Sequence, residues 1–237
     1  MFYQTKRAVD GYIELPVETF IHPNTESSIS LVGMVHTAKP CFYQSVGEYV
    51  QIREESGSTI HYERSTLPSK HELETYPHWV QKLAPKLDKA VSALTKTTIK
   101  DDVVSQYNND ELHFKDVWEI HDMNKADIAR SLGPAKTLYA AVMLEREAAI
   151  ENGDKKDRLP FYAIRARLVL RMLDTVIVDE RNAVAVKGIE MTLKEKPDQD
   201  ITLLWGSCHI PGIANGITRI GYKHKDTIWL NAGKYTA

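Results

Sequence analysis

The chain has 237 residues, of which 43% are hydrophobic and 26% charged, and this ordinary globular composition excludes a mainly disordered or fibrous protein. Its 30 basic and 32 acidic residues give a net charge of −2, which argues against a general binder of nucleic acid or membrane surfaces, since both require a dominant basic face. Two cysteines are too few for a disulfide framework and favour a reducing compartment.

The first quarter of the chain predicts strands and one helix. Residues 12–17 alternate apolar and polar side chains, whereas residues 28–35 form a nearly continuous apolar run, typical of a strand covered on both faces. Residues 43–54 have apolar positions at helical spacing, and residues 59–63 predict another strand. Strand, helix and strand within about 35 residues is the size of a βαβ unit and favours parallel pairing.

The middle of the chain predicts helices. Residues 77–94 carry apolar side chains at helical spacing, and a second helical pattern from Asn124 to Glu151 is interrupted at Gly133-Pro134. Between these two patterns, residues 101–122 are less regular. Residues 161–194 form a long stretch of helical composition. The basic residues on its polar side are Arg165, Arg167 and Arg171.

The end of the chain returns to strands. Residues 201–205 are apolar, a short helix is predicted at 210–220, and residues 227–230 predict a closing strand. Strands at both ends around a helical middle predict a single α/β domain over residues 1–237. We expect a central mixed, largely parallel sheet with a helical insertion at about residues 65–160.

Two Gly-x-x-His motifs follow predicted strands at opposite ends of the chain. The first is Gly33-Met34-Val35-His36 and the second is Gly206-Ser207-Cys208-His209. In an open α/β sheet, ligands bind just beyond the carboxyl ends of the strands, so two histidines placed there are expected to face one crevice. The alternative is that each histidine is buried and hydrogen-bonded to backbone.

Glu63 ends the predicted strand 59–63. If that strand lies next to the first motif's strand, Glu63 lies beside His36, where a carboxylate can ligate a metal, orient an imidazole or act as a general base. The alternative is a solvated side chain paired with Arg64. Arg181 and Asn182 could stabilise an oxyanion or hold a substrate carboxylate, although periodicity alone places them on the surface.

Other motifs give weaker indications. His61 alternates with Glu63, so both are expected on the same side of a strand, with His61 in a supporting position. His121 and Asp122 lie in the irregular segment, and Asp122 is interpreted as a helix cap. The sequence has no Gly-rich phosphate loop, no His-Glu-x-x-His and no Gly-x-Ser-x-Gly, which argues against nucleotide hydrolysis, zincin-type proteolysis and α/β-hydrolase chemistry.

Taken together, these residues resemble the TraB/PrgY/Tiki family, within the wider group of erythromycin-esterase-like and ChaN-like domains. The order and spacing of the motifs match that family along most of residues 28–231, whereas residues 65–160 match only as generic helix. The segments that carry the resemblance are 31–36, Glu63, 179–182 and 206–213.

The resemblance implies one α/β domain in which both motifs meet at a single site that performs metal-dependent hydrolysis, with peptide cleavage as the best-known activity. It implies that His36, Glu63 and His209 form the metal or catalytic centre. It also implies that Arg181 and Asn182 lie beside that centre.

The predicted function is therefore a metal-dependent hydrolase of a peptide or other amide bond, with Arg181 stabilising the oxyanion. Manganese, cobalt and zinc all suit imidazole and carboxylate ligands. A second hypothesis is a metal-independent, esterase-like hydrolase in which His36 is the general base and Glu63 sets its tautomer. A third is a protein that binds a peptide or small molecule without turnover.

The expected partner is a peptide or small-molecule substrate, with no nucleic acid and no membrane, and a homo-oligomer is left open. No apolar run approaches the roughly 18 residues that cross a bilayer, and the N-terminal residues lack the apolar core of a signal peptide. We therefore expect a cytoplasmic protein, which argues against a cell-surface role. Cys208, inside the second motif, is either a soft metal ligand or incidental.

Overall fold

The computed structural model describes residues 6–9, 12–97, 103–151 and 175–234. The chain divides into two compact units. The first unit comprises Met1–Glu63, Asp101–Asp122 and Asn182–Ala237, and the second comprises Arg64–Lys100 and Met123–Arg181. Residues 101–122 thus belong to the first unit, although they fall within the range predicted as a helical insertion. A single domain over residues 1–237 with an insertion at about 65–160 stays a prediction.

The first unit contains all the strands that the structure describes. These are β1 (Arg7–Val9), β2 (Tyr12–Ile21), β3 (Ser28–Met34), β4 (Thr37–Ala38), β5 (Thr59–Tyr62), β6 (Val104–Ser105), β7 (Glu119–Ile120), β8 (Ile201–Gly206) and β9 (Lys223–Lys234). Strands β3, β8, β5 and β7 lie side by side in that order and run parallel, β2 is antiparallel to β3, and β1 and β9 pair with β2. Strands β4 and β6 form a separate two-stranded ladder. The prediction of an α/β protein with a mixed, largely parallel sheet is confirmed.

The helices are numbered in chain order. They are α1 (Pro40–Glu55), α2 (Lys70–Glu74), α3 (His78–Thr97), α4 (Lys125–Leu132), α5 (Pro134–Glu151), α6 (Arg181–Glu195) and α7 (Ile210–Arg219). A π-helical turn at Thr175–Glu180 precedes α6, and a 3₁₀ turn at Ser207–His209 precedes α7. Of the long helix predicted at 161–194, the part before residue 175, with Arg165, Arg167 and Arg171, lies outside the described residues.

Strand β8 lies between β3 and β5. All six residues of β8 are apolar or small except Thr202, and the first five are fully buried, which suits a strand covered on both faces. The backbone N–H of Glu63 continues the β5 ladder by donating to the carbonyl of Leu204 at 3.0 Å. Because β8 separates β5 from β3, Glu63 borders the second Gly-x-x-His motif, and the expectation that it lies beside the strand of His36 is wrong.

Two apolar cores cover the two faces of the sheet. Helix α1 packs Phe42 and Val46 against one face, with Val32 of β3. Helices α6 and α7 pack Ile189 and Ile213 against the other. These helices approach closely because α7 carries two glycines. A Cβ on Gly216 would lie 2.4 Å from a methyl carbon of Val186, and one on Gly212 would lie 2.0 Å from the amide nitrogen of Asn182.

The second unit is helical in its described part. Helix α3 packs against α4 and α5 around a small core that includes Val80 and Ala129. Asn124 caps α4, since its Oδ1 accepts the N–H groups of residues 126 and 127 at 2.9 Å, so the assignment of the cap to Asp122 is wrong. Among the described helices, none is both long enough and apolar enough to span a bilayer.

Candidate functional site

Three side chains meet at the carboxyl ends of β5 and β8, and we call Glu63, Asn182 and His209 the strand-end centre. All three are buried, with exposures of 5%, 7% and 2%. His209 Nδ1–H donates to Asn182 Oδ1 at 2.7 Å, because an amide oxygen can only accept. The other ring nitrogen, Nε2, therefore faces Glu63, whose Oε1 lies 3.9 Å away.

Glu63 is held from two directions. The backbone N–H of Gly206 donates to Glu63 Oε2 at 2.5 Å, and the hydroxyl of Tyr107 donates to the carbonyl of Glu63 at 2.5 Å. A Cβ on Gly206 would lie 3.0 Å from Oε2 and 3.4 Å from Cδ2 of His209. The glycine of the second motif therefore provides both a hydrogen-bond donor and the space that the carboxylate occupies.

The glycine of the first motif has a different role. A Cβ on Gly33 would lie 3.1 Å from both the carbonyl oxygen and Cδ of Pro16, on the neighbouring strand β2. Gly33 therefore permits close packing between strands within the sheet. The two Gly-x-x-His motifs, equivalent by sequence, are not equivalent in structure.

The remaining predicted residues, His36 and Arg181, are not among the side chains shown to meet at this centre. His36 follows β3, is exposed, and accepts the backbone N–H of Gln106 at its carbonyl, 2.9 Å away. Over the described ranges, His36, Glu63 and His209 do not form a group whose ligand atoms all lie within 4.8 Å of one another. Arg181 is the first residue of α6, is buried and belongs to the second unit. The roles of His36 as a ligand and of Arg181 beside the site stay predictions.

A second constellation occupies the sheet edge formed by β7, and we call His61, Glu119 and His121 the edge-strand group. His61 and Glu119 lie opposite each other in the β5–β7 ladder, and His121 follows β7. Glu119 Oε2 lies 2.8 Å from His121 Nε2 and 3.4 Å from His61 Nε2. Ligand atoms of all three lie within 4.8 Å of one another, so this group could hold a metal ion.

Helix α6 completes the surroundings of the edge-strand group. Thr192 Oγ1 lies 3.1 Å from His61 Nε2 and 3.5 Å from Glu119 Oε2, and it also contacts the carbonyl of Gly188 at 3.2 Å. A Cβ on Gly188 would lie only 2.3 Å from Cγ of His121. Gly188 is therefore required for the helix to lie against the His121 ring.

Burial determines the charge state of the edge-strand group. Burial and the neighbouring His121 lower the pKa of His61 to about 4, and Glu119 opposes this shift only in part. Burial raises the pKa of Glu119, but the hydrogen bond from His121 and the charges of the two imidazoles outweigh it, so this pKa lies below its usual range. His61 Nδ1 is buried and has no hydrogen-bond partner. A neutral imidazole next to an ionised carboxylate is the protonation state that a metal ion requires of both.

Sequence reasoning placed His61 in a supporting role and did not single out Glu119. The available indication was the alternation His61-x-Glu63 and Glu119-x-His121, which puts each pair on one side of an extended segment. Strand β7 has only two residues, so it lacks the periodic apolar pattern by which a strand is recognised.

Neither a scan of protein-family models nor a search of curated proteins gives a match for this chain. The fold and the sites define an α/β protein that carries a His/Glu/His group able to bind a metal, with His61 buried.

Proposed function

We propose that the protein is a metal-dependent hydrolase that cleaves a peptide or other amide bond at the strand-end centre. One observation carries this proposal. Glu63, Asn182 and His209 come from three distant parts of the chain and converge, buried, with a fixed imidazole facing a carboxylate. They do so beyond the carboxyl ends of parallel strands, where open α/β sheets bind their ligands.

The donor set fits the metal that the TraB/PrgY/Tiki resemblance implies. A metal-binding histidine usually donates its other N–H to an oxygen, and Asn182 accepts that bond from His209. The 3.9 Å between His209 Nε2 and Glu63 Oε1 is too long for a hydrogen bond. Two tetrahedral ligands of one ion at bonds of about 2.0–2.2 Å lie roughly 3.3–3.6 Å apart, so these two atoms need to approach by about 0.3–0.6 Å to hold one. We assign His36 as the third ligand.

When bound, a manganese, cobalt or zinc ion supplies Lewis acidity and makes hydroxide available near neutral pH. Asn182 holds the proton on His209 Nδ1 and so keeps the Nε2 lone pair directed at Glu63. Gly206 N–H fixes one carboxylate oxygen of Glu63 and leaves Oε1 facing His209. Burial of both side chains keeps bulk water away and strengthens electrostatic interactions. The role of Arg181, stabilisation of the negative charge that develops on the scissile carbonyl, is carried by the resemblance alone.

The test is cleavage of a mixed peptide library, with new termini identified by mass spectrometry. Protein stripped with EDTA and desalted is expected to be inactive and to regain activity with Mn²⁺, Co²⁺ or Zn²⁺. Glu63→Gln, which preserves side-chain size, and His209→Asn, which removes the Nε2 nitrogen, are expected to abolish cleavage. Glu190→Gln, an exposed carboxylate on α6, serves as the matched control and is expected to retain it. Cleavage by Glu63→Gln at the wild-type rate would falsify the proposal, as would a failure of every ion to restore activity.

A metal-independent hydrolase is the second candidate, because the Asn182–His209 hydrogen bond is compatible with a general base as well as with a metal ligand. An imidazole whose Nδ1–H is held by an oxygen presents Nε2 as a general base, which is the arrangement of hydrolases that use no metal. This assigns to His209 the role that sequence reasoning gave to His36. Activity that survives EDTA and is lost in Asn182→Leu identifies this candidate.

A further inference from the structure

We propose that the edge-strand group, completed by the hydroxyl of Thr192, is a separate site for one divalent transition-metal ion of the zinc or cobalt class, which fastens strand β7 to β5 and α6. An ion here binds whether or not the strand-end centre hydrolyses anything.

The geometry of four polar atoms carries this inference. Glu119 Oε2 lies 2.8 Å from His121 Nε2, 3.4 Å from His61 Nε2 and 3.5 Å from Thr192 Oγ1. His61 Nε2 lies 3.1 Å from Thr192 Oγ1. Ligands at zinc-type bond lengths of about 2.0–2.2 Å in a tetrahedron lie roughly 3.3–3.6 Å apart. Of the six edges of a coordination tetrahedron, three of these four separations lie within about 0.2 Å of that range and the fourth is shorter, so the four atoms need only small shifts to surround an ion.

The chemistry of the ligands selects the class of ion. Two imidazoles, one carboxylate and one hydroxyl form a mixed nitrogen and oxygen set, which suits zinc, cobalt and their neighbours. Calcium and magnesium prefer oxygen ligands throughout. The burial that keeps His61 neutral also keeps its lone pair available to a metal.

Access and rigidity both suit an exchangeable ion. The side chain of His61 is 1% exposed whereas that of Glu119 is 44% exposed, so an ion can enter from solvent at the sheet edge. Thr192 and Gly188 hold the rings from the α6 side. His61 Nδ1 has no partner, so the site lacks the orienting bond that usually raises metal affinity 10- to 100-fold.

The structural role of the ion follows from the short pairing of β7 with the sheet. This strand has two residues and pairs through two positions with β5. An ion that joins His61 on β5, Glu119 on β7 and Thr192 on α6 links three elements that are distant in sequence. Since the ion binds only the folded arrangement, it raises the melting temperature, and above the Kd this rise grows with the logarithm of the free ion concentration.

The experiment compares ion stoichiometry in variants of the full chain after EDTA treatment and desalting. Isothermal titration with Zn²⁺ and the visible absorption of Co²⁺ are measured for the wild type and for Glu119→Gln and His121→Asn, whose folding is checked by circular dichroism. Each variant is expected to lose one equivalent, or at least tenfold in affinity, together with the ion-induced rise in melting temperature. Glu190→Gln is expected to match the wild type.

The outcomes separate this site from the strand-end centre. His209→Asn is expected to lose the other equivalent and to keep the Co²⁺ spectrum that depends on Glu119. Thr192→Val, which removes only the hydroxyl, is expected to weaken binding several-fold and provides a second test should a ligand variant not fold. The inference is overturned if Glu119→Gln, His121→Asn and Thr192→Val all bind the same number of ions as the wild type with the same affinity. This holds even if His209→Asn abolishes hydrolysis.

Discussion

The strand-end centre and the edge-strand group differ in what holds them. In the strand-end centre, His209 is oriented through Nδ1 by Asn182, but only Glu63 faces its other nitrogen among the side chains shown to converge there. In the edge-strand group, four polar atoms already cluster, but Nδ1 of His61 has no partner. The first arrangement orients one imidazole, as a general base or a metal ligand requires, whereas the second already brings together several possible ligands of one ion.

One helix serves both regions. Asn182 and Thr192 are ten residues apart on α6, which corresponds to roughly 15 Å along its axis, so the helix contributes to the two sites from different turns. At each site a glycine allows α6 to pack closely. Gly212 of α7 leaves room for Asn182, and Gly188 of α6 leaves room for the His121 ring. The position of α6 on the sheet therefore sets the geometry of both sites.

The largest expected effect separates the two regions by activity. His209→Asn is expected to lower kcat/KM about 1,000-fold, equivalent to roughly 4 kcal/mol of transition-state stabilisation, because it removes the oriented nitrogen. Glu119→Gln is expected to change kcat/KM less than threefold when Zn²⁺ is saturating. Both are measured on the peptide that the library identifies. An equal loss in the two variants would mean that the regions form one centre.

The next effect concerns orientation at His209. Asn182→Leu is expected to weaken metal binding or lower kcat 10- to 100-fold, because the Nδ1–H loses its acceptor and the ring its fixed tautomer. Asn182→Asp keeps an acceptor oxygen and is expected to recover most of the activity with a shifted pH profile. Equal loss in both variants would indicate that Asn182 serves only packing against Gly212.

Sequence predicted the strand-end centre better than the edge-strand group, and the reason is physical. Glu63 and His209 follow strands β5 and β8, which have four and six residues and a recognisable pattern, so the rule about carboxyl ends of parallel strands applies to them directly. Glu119 and His121 flank a strand of two residues, and only the ladder with β5 shows that they face His61. Pairing between distant segments decides that contact, and no local pattern encodes it.

Strand order was the other information that the sequence lacked. Strands 28–35 and 59–63 were correctly recognised, but the insertion of β8 between them depends on a segment about 140 residues later. The burial of Arg181 and Asn182 also depends on information that the sequence lacked. Helical periodicity placed both residues on the surface, whereas both are buried in the structure. A π-helical turn directly precedes them, and its wider turn shifts the phase of the helical pattern.

Gly188→Ala tests whether α6 really constrains the edge-strand group. In the interior of an unhindered helix, alanine stabilises by about 0.5–1 kcal/mol relative to glycine. Here the added methyl meets the His121 ring, so we expect a loss of about 1–3 kcal/mol in urea denaturation and weaker Zn²⁺ binding. The double variant Gly188→Ala with His121→Ala is expected to recover the stability. A stabilised single variant would show that the ring moves aside freely.

The metal-free protein is expected to lose stability as the pH falls from about 6.5 toward 4. The pKa of His61 is about 4 in the folded protein and near 6.5 when unfolded, so the unfolded chain binds the proton first in this window. The depressed pKa of Glu119 continues the loss at lower pH, and His121 is the other titratable group that faces His61. Urea denaturation in EDTA across this range measures the effect. A His61→Gln variant with the wild-type slope would contradict it.

The smallest expected effect concerns Cys208, which the second motif places next to His209. Its side chain is exposed, whereas His209 is 2% exposed and turned toward Asn182 and Glu63, so the two neighbours face different surroundings. Cys208→Ser is therefore expected to change ion affinity and kcat/KM less than twofold. A thiolate ligand would instead add a soft donor that zinc and cobalt favour, visible as an intense near-ultraviolet band of the Co²⁺ form. A tenfold loss of ion affinity in Cys208→Ser, together with loss of that band, would show that Cys208 is a ligand of the strand-end centre. The two regions would then no longer differ in the number of their ligands.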